Sequence, residues 1–254
     1  MEARYDLKNL LEWYVLCGVD ETCGEVCFGL KEPSSDDTKL SARQAITALS
    51  QDNIASKKNA RELCAKAQNL KELKQLVSDF EGCALKLTAK STVFGAGNEA
   101  AEVMFIGEAP GADEDRIGLP FVGRSGRLLE KMLKTIGLTR EDVYITNVVL
   151  WRPPGNRTPT DAEVAVCLPF LKRQIELINP KIIVFLGGSA ANALLDNTVS
   201  ISKLRGRWLD YQASSKQIIP AIATFHPAFL LRNSAQKAKS WGDFLRILKK
   251  LKEN

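Results

Sequence analysis

Val103-Met104-Phe105-Ile106-Gly107-Glu108-Ala109-Pro110-Gly111 is an apolar run that stops at a glycine and gives way at once to a carboxylate and a turn. Four successive apolar side chains without polar alternation predict a strand buried on both faces, the kind found in a parallel sheet between helix layers. Outward from it the same signal recurs. Residues 143–146, 182–186 and 218–224 read as three further strands, and amphipathic stretches separate them. Leu128 to Ile136 predicts a helix stopped by Gly137. Asp161 to Ile178 predicts a longer one, capped by Thr160 with Glu163 completing a capping box. A helix through Ala190–Leu195 follows the third strand, and a basic helix from about Ala235 closes the chain. Strands alternating with helices predict an α/β fold: a three-layer α/β/α arrangement around a central, mostly parallel four-stranded sheet.

The part before residue 83 has a different character. Leu7, Leu10, Leu11, Tyr14 and Val15 stand at helical spacing. The stretch from Cys17 to Lys39 is rich in Gly, Ser and acidic residues, and helical patterning returns over 41–82. This predicts a helical N-terminal extension, residues 1–82, with a flexible linker at about 18–40, ahead of a main domain at 83–254.

Composition narrows the class. Hydrophobic content of 45% and charged content of 26% suit a globular protein. No apolar stretch reaches the roughly 18 residues a membrane helix needs. The N-terminus lacks the basic start and apolar run of a secretory signal, so a cytoplasmic setting without membrane association is expected. The net charge of +5 is uneven: residues 1–90 carry 13 basic against 14 acidic groups, residues 91–254 carry 22 against 16. A basic second part suits a polyanionic partner.

Ligands in such sheets bind beyond the carboxyl ends of the strands. That edge collects Glu108 and Asp113-Glu114-Asp115 after the first strand, Asn147 and Arg152 to Arg157 after the second, and His226-Pro227 after the fourth. Taken by residue type alone, Phe121 reads equally as a core aromatic, Asn147 as a turn former, and the single histidine, His226, as structural.

Together these residues carry a resemblance. GEAPGADED (107–115), GLPFVGRSGRLL (118–129), TNVVLWRPPGNRTP (146–159) and HPAFLLR (226–232) resemble, in order, the motifs of the family 4 uracil-DNA glycosylases. The resemblance runs from about Cys83 to the C-terminus. It implies a DNA-repair hydrolase of base excision repair, acting as a monomer on uracil-containing DNA. Such an enzyme flips the base into a pocket and hydrolyses its bond to the sugar. Phe121 then stacks on the uracil. Asn147 accepts from N3–H and donates to O4, a pattern cytosine reverses. His226 meets O2, and Glu108 lies at the pocket. Glu114 borders the C5 edge, where it excludes thymine's methyl, while Asp115 is structural. Ala109 stands where related families carry a water-positioning Asp or Asn. Arg124, Ser125 and Gly126 at a helix start, with Arg152, Arg157, Arg205 and Arg232, are expected to meet DNA phosphates. Leu230, with Phe229 and Leu231, is expected to wedge into the gap left by the flipped base. The same motifs leave open a glycosylase for other deaminated bases, or a catalytically weak DNA-binding module.

The family commonly carries a [4Fe–4S] cluster on four cysteines. This chain has Cys83 and Cys167 at two of those positions, but Lys86 and Trp151 at the others. Lys and Trp do not replace thiolates. Cys17, Cys23, Cys27 and Cys64 remain, the first three irregularly spaced. The expectation is no cluster and no other cofactor, with Trp151 and its neighbours filling the volume by packing.

Overall fold

A computed structural model describes residues 56–254, apart from 197, 215, 216 and 254. The helix expected at 5–16, the linker, and Cys17, Cys23 and Cys27 lie outside the described residues.

The sheet has six strands, not four, in the order β1-β3-β2-β4-β6-β5. The expected four form its parallel centre: β2 (Val103–Gly107), β3 (Tyr144–Asn147), β4 (Ile182–Leu186) and β6 (Gln217–Thr224). The two edges are antiparallel. β1 (Ala96–Gly97) pairs with β3, and β5 (Trp208–Ser214) pairs with β6. β1 is too short to leave a pattern. In β5, Leu209, Tyr211 and Ala213 pack on the core while Asp210 and Gln212 do not, so its alternation marks a half-buried edge.

Side-chain alternation along the strands sorts the core into two layers. Met104, Ile106, Ile183, Phe185, Ala221 and Ala223 face one side, where they meet α6 (Asp161–Ile178) and α7 (Gly188–Leu195). Val103, Phe105, Ile145, Val184 and Ile222 face the other, against α5 (Arg124–Thr135) and α10 (Lys237–Glu253). Each fully buried large apolar side chain contributes about 1.5–3 kcal/mol. The three-layer arrangement follows from strands that are apolar on both faces.

α1 (residues 56–66) and α2 (Leu70–Asp79) add to the first layer. Asn69 caps α2 by accepting from the Glu72 N–H at 2.9 Å. Cys64, Leu73, Val77 and Phe80 belong to the same buried cluster as Trp151 and Phe170. Residues on both sides of position 83 therefore share one core.

Local signals set the remaining elements. Thr160 and Glu163 form the reciprocal capping box at the start of α6, and Asn179 ends that helix in the left-handed region. α5 begins at Arg124, a turn before the expected Leu128, because its first turn is polar. α3 (Leu85–Thr88) and α8 (Ile201–Leu204) are single turns. α4 (Ala112–Ile117) replaces the loop expected after Gly111, with three carboxylates in its first turn favoured by the helix dipole. No helix among the described residues is long and apolar enough to cross a membrane.

Candidate active site

The carboxyl edge of the parallel strands holds a half-open cavity of about 450 Å³. Its walls include Glu108, Ala109, Glu114, Phe121, Ser125, Asn147, Arg157, His226 and Arg232, so most of the expected site residues converge there. A wider hollow of about 600 Å³ opens near α1, α6 and α7, lined by Arg61, Cys64 and Arg173. It lies away from the strand ends, and Arg173 is occupied by the Ala67 carbonyl and Glu176.

Glu108 immediately follows β2. The Val149 N–H donates to its carbonyl at 3.0 Å, which fixes its backbone beside β3. Its Oε1 is buried without a partner. Burial pushes this carboxyl above its ordinary value, and the nearby Ser189 hydroxyl only partly opposes it. Asn147 ends β3 and is 1% exposed, and its Oδ1 is likewise buried without a partner. A buried acceptor left unpaired costs about 1–3 kcal/mol. Two of them in one cavity mark a place for a donor-bearing ligand.

Gly107 makes this spacing possible. A Cβ at that position would fall 2.3 Å from Asn147 Oδ1 and 2.7 Å from Phe121 Cζ. Gly107→Ala is expected to displace both groups and to lower kcat/KM for a reaction at this site by about 10²-fold, since a 1 Å misplacement has that cost. An unchanged rate with unchanged thermal stability would contradict this packing account.

Phe121 sits in a left-handed conformation, φ 53°, which costs a bulky residue about 1–3 kcal/mol. Its surroundings hold it there. Glu114 Oε1 accepts from the Val122 and Gly123 N–H groups at 3.0 and 2.9 Å. Arg140 donates to the carbonyls of Phe121 and Pro120 at 2.8 and 2.6 Å. Gly126 in α5 lies directly beneath, where a Cβ would collide with the Phe121 carbonyl. The ring ends 5.6 Å from that of His226, tilted by 32°.

His226 caps α9 (Pro227–Arg232), its Nδ1 accepting from the Ala228 N–H at 3.1 Å. The neutral ring must then carry its proton on Nε2. Burial, with Arg232 nearby, lowers its pKa to about 4, so the neutral form holds across the physiological range.

The surroundings of the other expected residues differ. Leu230 is 1% exposed and packs inward, whereas Leu231 is 39% exposed. Gly126 is a buried packing position. Arg157 lines the cavity but is forked onto Glu163. Arg152 donates to Asn156 Oδ1 at 2.8 Å, and Arg205 is tied to buried Asp243. Arg124 and Arg232 are exposed. Asp115 accepts from the Lys90 and Ser91 N–H groups at 2.8 and 3.1 Å, a structural link. Two participants escaped the sequence reading. Ser189 follows β4 on the same edge, so the strand-end rule could have found it. Arg140 has partners 19 and 20 residues away and leaves no local sign.

The described residues do not fit a four-thiolate cluster. Cys83 and Cys167 are free and buried, but among the described residues no group of three or more His, Cys, Asp or Glu could hold a metal ion.

Fold and cavity together define a three-layer α/β protein with a half-open pocket, lined by buried hydrogen-bonding groups, at the carboxyl edge of its sheet. Residues 94–252 match the model of the uracil DNA glycosylase superfamily. The chain is 47% identical over 173 residues to the type-4 uracil-DNA glycosylase of Thermotoga maritima, spanning 66% of this chain and 88% of that one. It is 42% identical over 184 residues to the type-4 enzyme of Archaeoglobus fulgidus, spanning 71% and 92%. The chain belongs to the uracil DNA glycosylase superfamily, and both of these relatives are of type 4.

Proposed function

We propose that this protein releases uracil from DNA by hydrolysing the N-glycosidic bond and leaves an abasic site, the opening step of base excision repair. The observation that carries the reading is the pair of unpaired buried acceptors, Asn147 Oδ1 and Glu108 Oε1, on residues lining one cavity. Uracil N3–H supplies the donor Asn147 lacks. Cytosine presents an acceptor at that atom and leaves Asn147 unsatisfied, a mismatch able to discriminate by about 10⁴-fold or more.

In the reaction, water attacks C1′ of the sugar as the bond to uracil N1 breaks. The bonding electron pair leaves on the uracil ring and spreads to O2, where His226 Nε2–H donates to the growing charge. Glu108 takes the proton from the attacking water. Phe121 stacks on the extruded base, Glu114 holds the Phe121 loop at the ring edge, and exposed Leu231 fills the vacated space. Arg124, Ser125 and Arg232 meet the phosphates.

The test is uracil release from a single-uracil oligonucleotide by the wild type and by Asn147→Ala. A wild type that binds the DNA yet releases no uracil would overturn the assignment. A pH prediction accompanies it. Glu108 must be ionised to accept a proton, and burial raises its pKa, so activity is expected to fall on the acid side at a higher pH than an ordinary carboxylate would give. His226 stays neutral down to about pH 4, so the acid limb belongs to Glu108. Glu108→Gln is expected to lower the rate and flatten that limb in a kcat–pH profile.

A further inference from the structure

Four side chains stand where the family resemblance implies cluster ligands, and each has an observable engagement here. Lys86 donates to the Ser78 carbonyl at 2.7 Å and to Glu81 at 2.6 Å. Its backbone N–H reaches the Cys83 carbonyl at 3.0 Å, which keeps the two residues one turn apart. Trp151 is 1% exposed, and its indole N–H donates to Thr92 Oγ1 at 3.0 Å. Its ring stacks against Phe80 with centroids 6.4 Å apart, and Phe80 meets Phe170 edge-on at 5.0 Å. Cys83 and Cys167 are free thiols buried in the same cluster.

We infer that an aromatic plug of Phe80, Trp151 and Phe170 takes over the organising role of a metal cluster, so that this protein folds and shapes its pocket without iron. The plug joins three segments. Phe80 ends α2, Phe170 lies in α6, and Trp151 immediately precedes Arg152 and Pro153. Pro153, Asn156 and Arg157 form one wall of the cavity. In a cluster, four metal–thiolate bonds would tie such segments together. Here dispersion, ring geometry and one indole hydrogen bond do so. Trp151 is accordingly a positioning residue: it touches no substrate, but it sets the path of the chain into the pocket wall. The activity part of the test rests on the glycosylase reading above; the iron and stability parts do not.

The experiment uses the full chain expressed with iron and sulfide supplied. Expected are iron and acid-labile sulfide far below one per chain, no absorbance shoulder near 400 nm, and a Tm unmoved by a strong iron chelator. Trp151→Ala is expected to lower the Tm by on the order of 10 °C and to raise KM more than it lowers kcat. Trp151→Phe, which keeps a ring, is expected to recover most of both and covers the case in which the alanine variant does not fold. Iron and sulfide at cluster stoichiometry, with a Tm that collapses on chelation, would overturn the inference. A Trp151→Ala protein with unchanged Tm and KM would overturn the plug. An iron-free, Trp151-dependent protein that releases no uracil would leave the plug standing and sink the glycosylase reading instead.

Discussion

Replacing His226 with alanine is expected to slow uracil release by about 10²–10³-fold while leaving DNA affinity nearly unchanged. The size follows from when the interaction is made. The Ala228 N–H occupies Nδ1, so Nε2 carries the proton and is the ring's free donor. A donor aimed at O2 gains strength as the glycosidic electrons arrive there, which lowers the barrier more than it tightens binding. A neutral donor avoids the cost of keeping a charge on a buried ring. The loss therefore belongs in kcat, measured by single-turnover release. A fall of less than tenfold, or one confined to KM, would remove His226 from the chemical step. The same ring has a stability signature. Its folded pKa of about 4 lies below the ordinary 6.5. As pH drops through that window the unfolded chain takes up the proton and the folded chain does not, so wild-type stability declines on acidification. His226→Ala is expected to lack that part of the decline.

The second large effect concerns stability. Arg205→Met is expected to destabilise the fold by about 3–5 kcal/mol, read by urea denaturation at pH 7. Asp243 is fully buried and accepts from Arg205 Nε at 3.2 Å and from Thr224 Oγ1 at 2.8 Å, while the Thr224 hydroxyl also lies 3.1 Å from Ser240. Burial already pushes the Asp243 carboxyl above its usual range against the pull of Arg205. Without the guanidinium the charge is stranded, its pKa climbs further, and the variant is expected to regain stability relative to wild type as acid neutralises it. Asp243→Asn, which keeps hydrogen-bonding capacity and leaves a partly exposed cation, is expected to be much milder. Equal losses in the two variants would mean that packing rather than stranded charge controls this site. The pair also supports the pocket, because Thr224 ends β6 two residues before His226 and Arg205 lies over the Phe225 ring at 5.5 Å.

That pair shows where sequence reading reaches its limit. Val103–Gly107, Ile182–Leu186 and the capped helix Asp161–Ile178 were legible because their causes are local: unbroken apolar runs and a cap three residues from its partner. The strand-end rule and ordered motifs brought Glu108, Phe121, Asn147 and His226 to one edge, and the cavity joins them. Arg205 and Asp243 are 38 positions apart, and either alone looks like a surface charge. Glu114 reads as a pocket acid and does line the cavity, but that its Oε1 also accepts from two backbone N–H groups eight and nine residues on has no local sign. Leu230 and Leu231 are adjacent in a six-residue helix, too short for periodicity to say which faces in. The edge strands β1 and β5 were missed because edges bury only one face, or hardly any residues at all.

The left-handed turn at Phe121 has a pharmacological side. Its ring is set by Glu114, Arg140 and Gly126 within the free protein, so the pocket is a finished receptor and the entropy of ordering it is absorbed in folding. On the proposed reading of the site, a free pyrimidine imide would meet the same acceptors and the same aromatic face as an extruded nucleotide. Free uracil is therefore expected to compete for the site, which a rate that falls as uracil is added to the single-uracil oligonucleotide reaction would check.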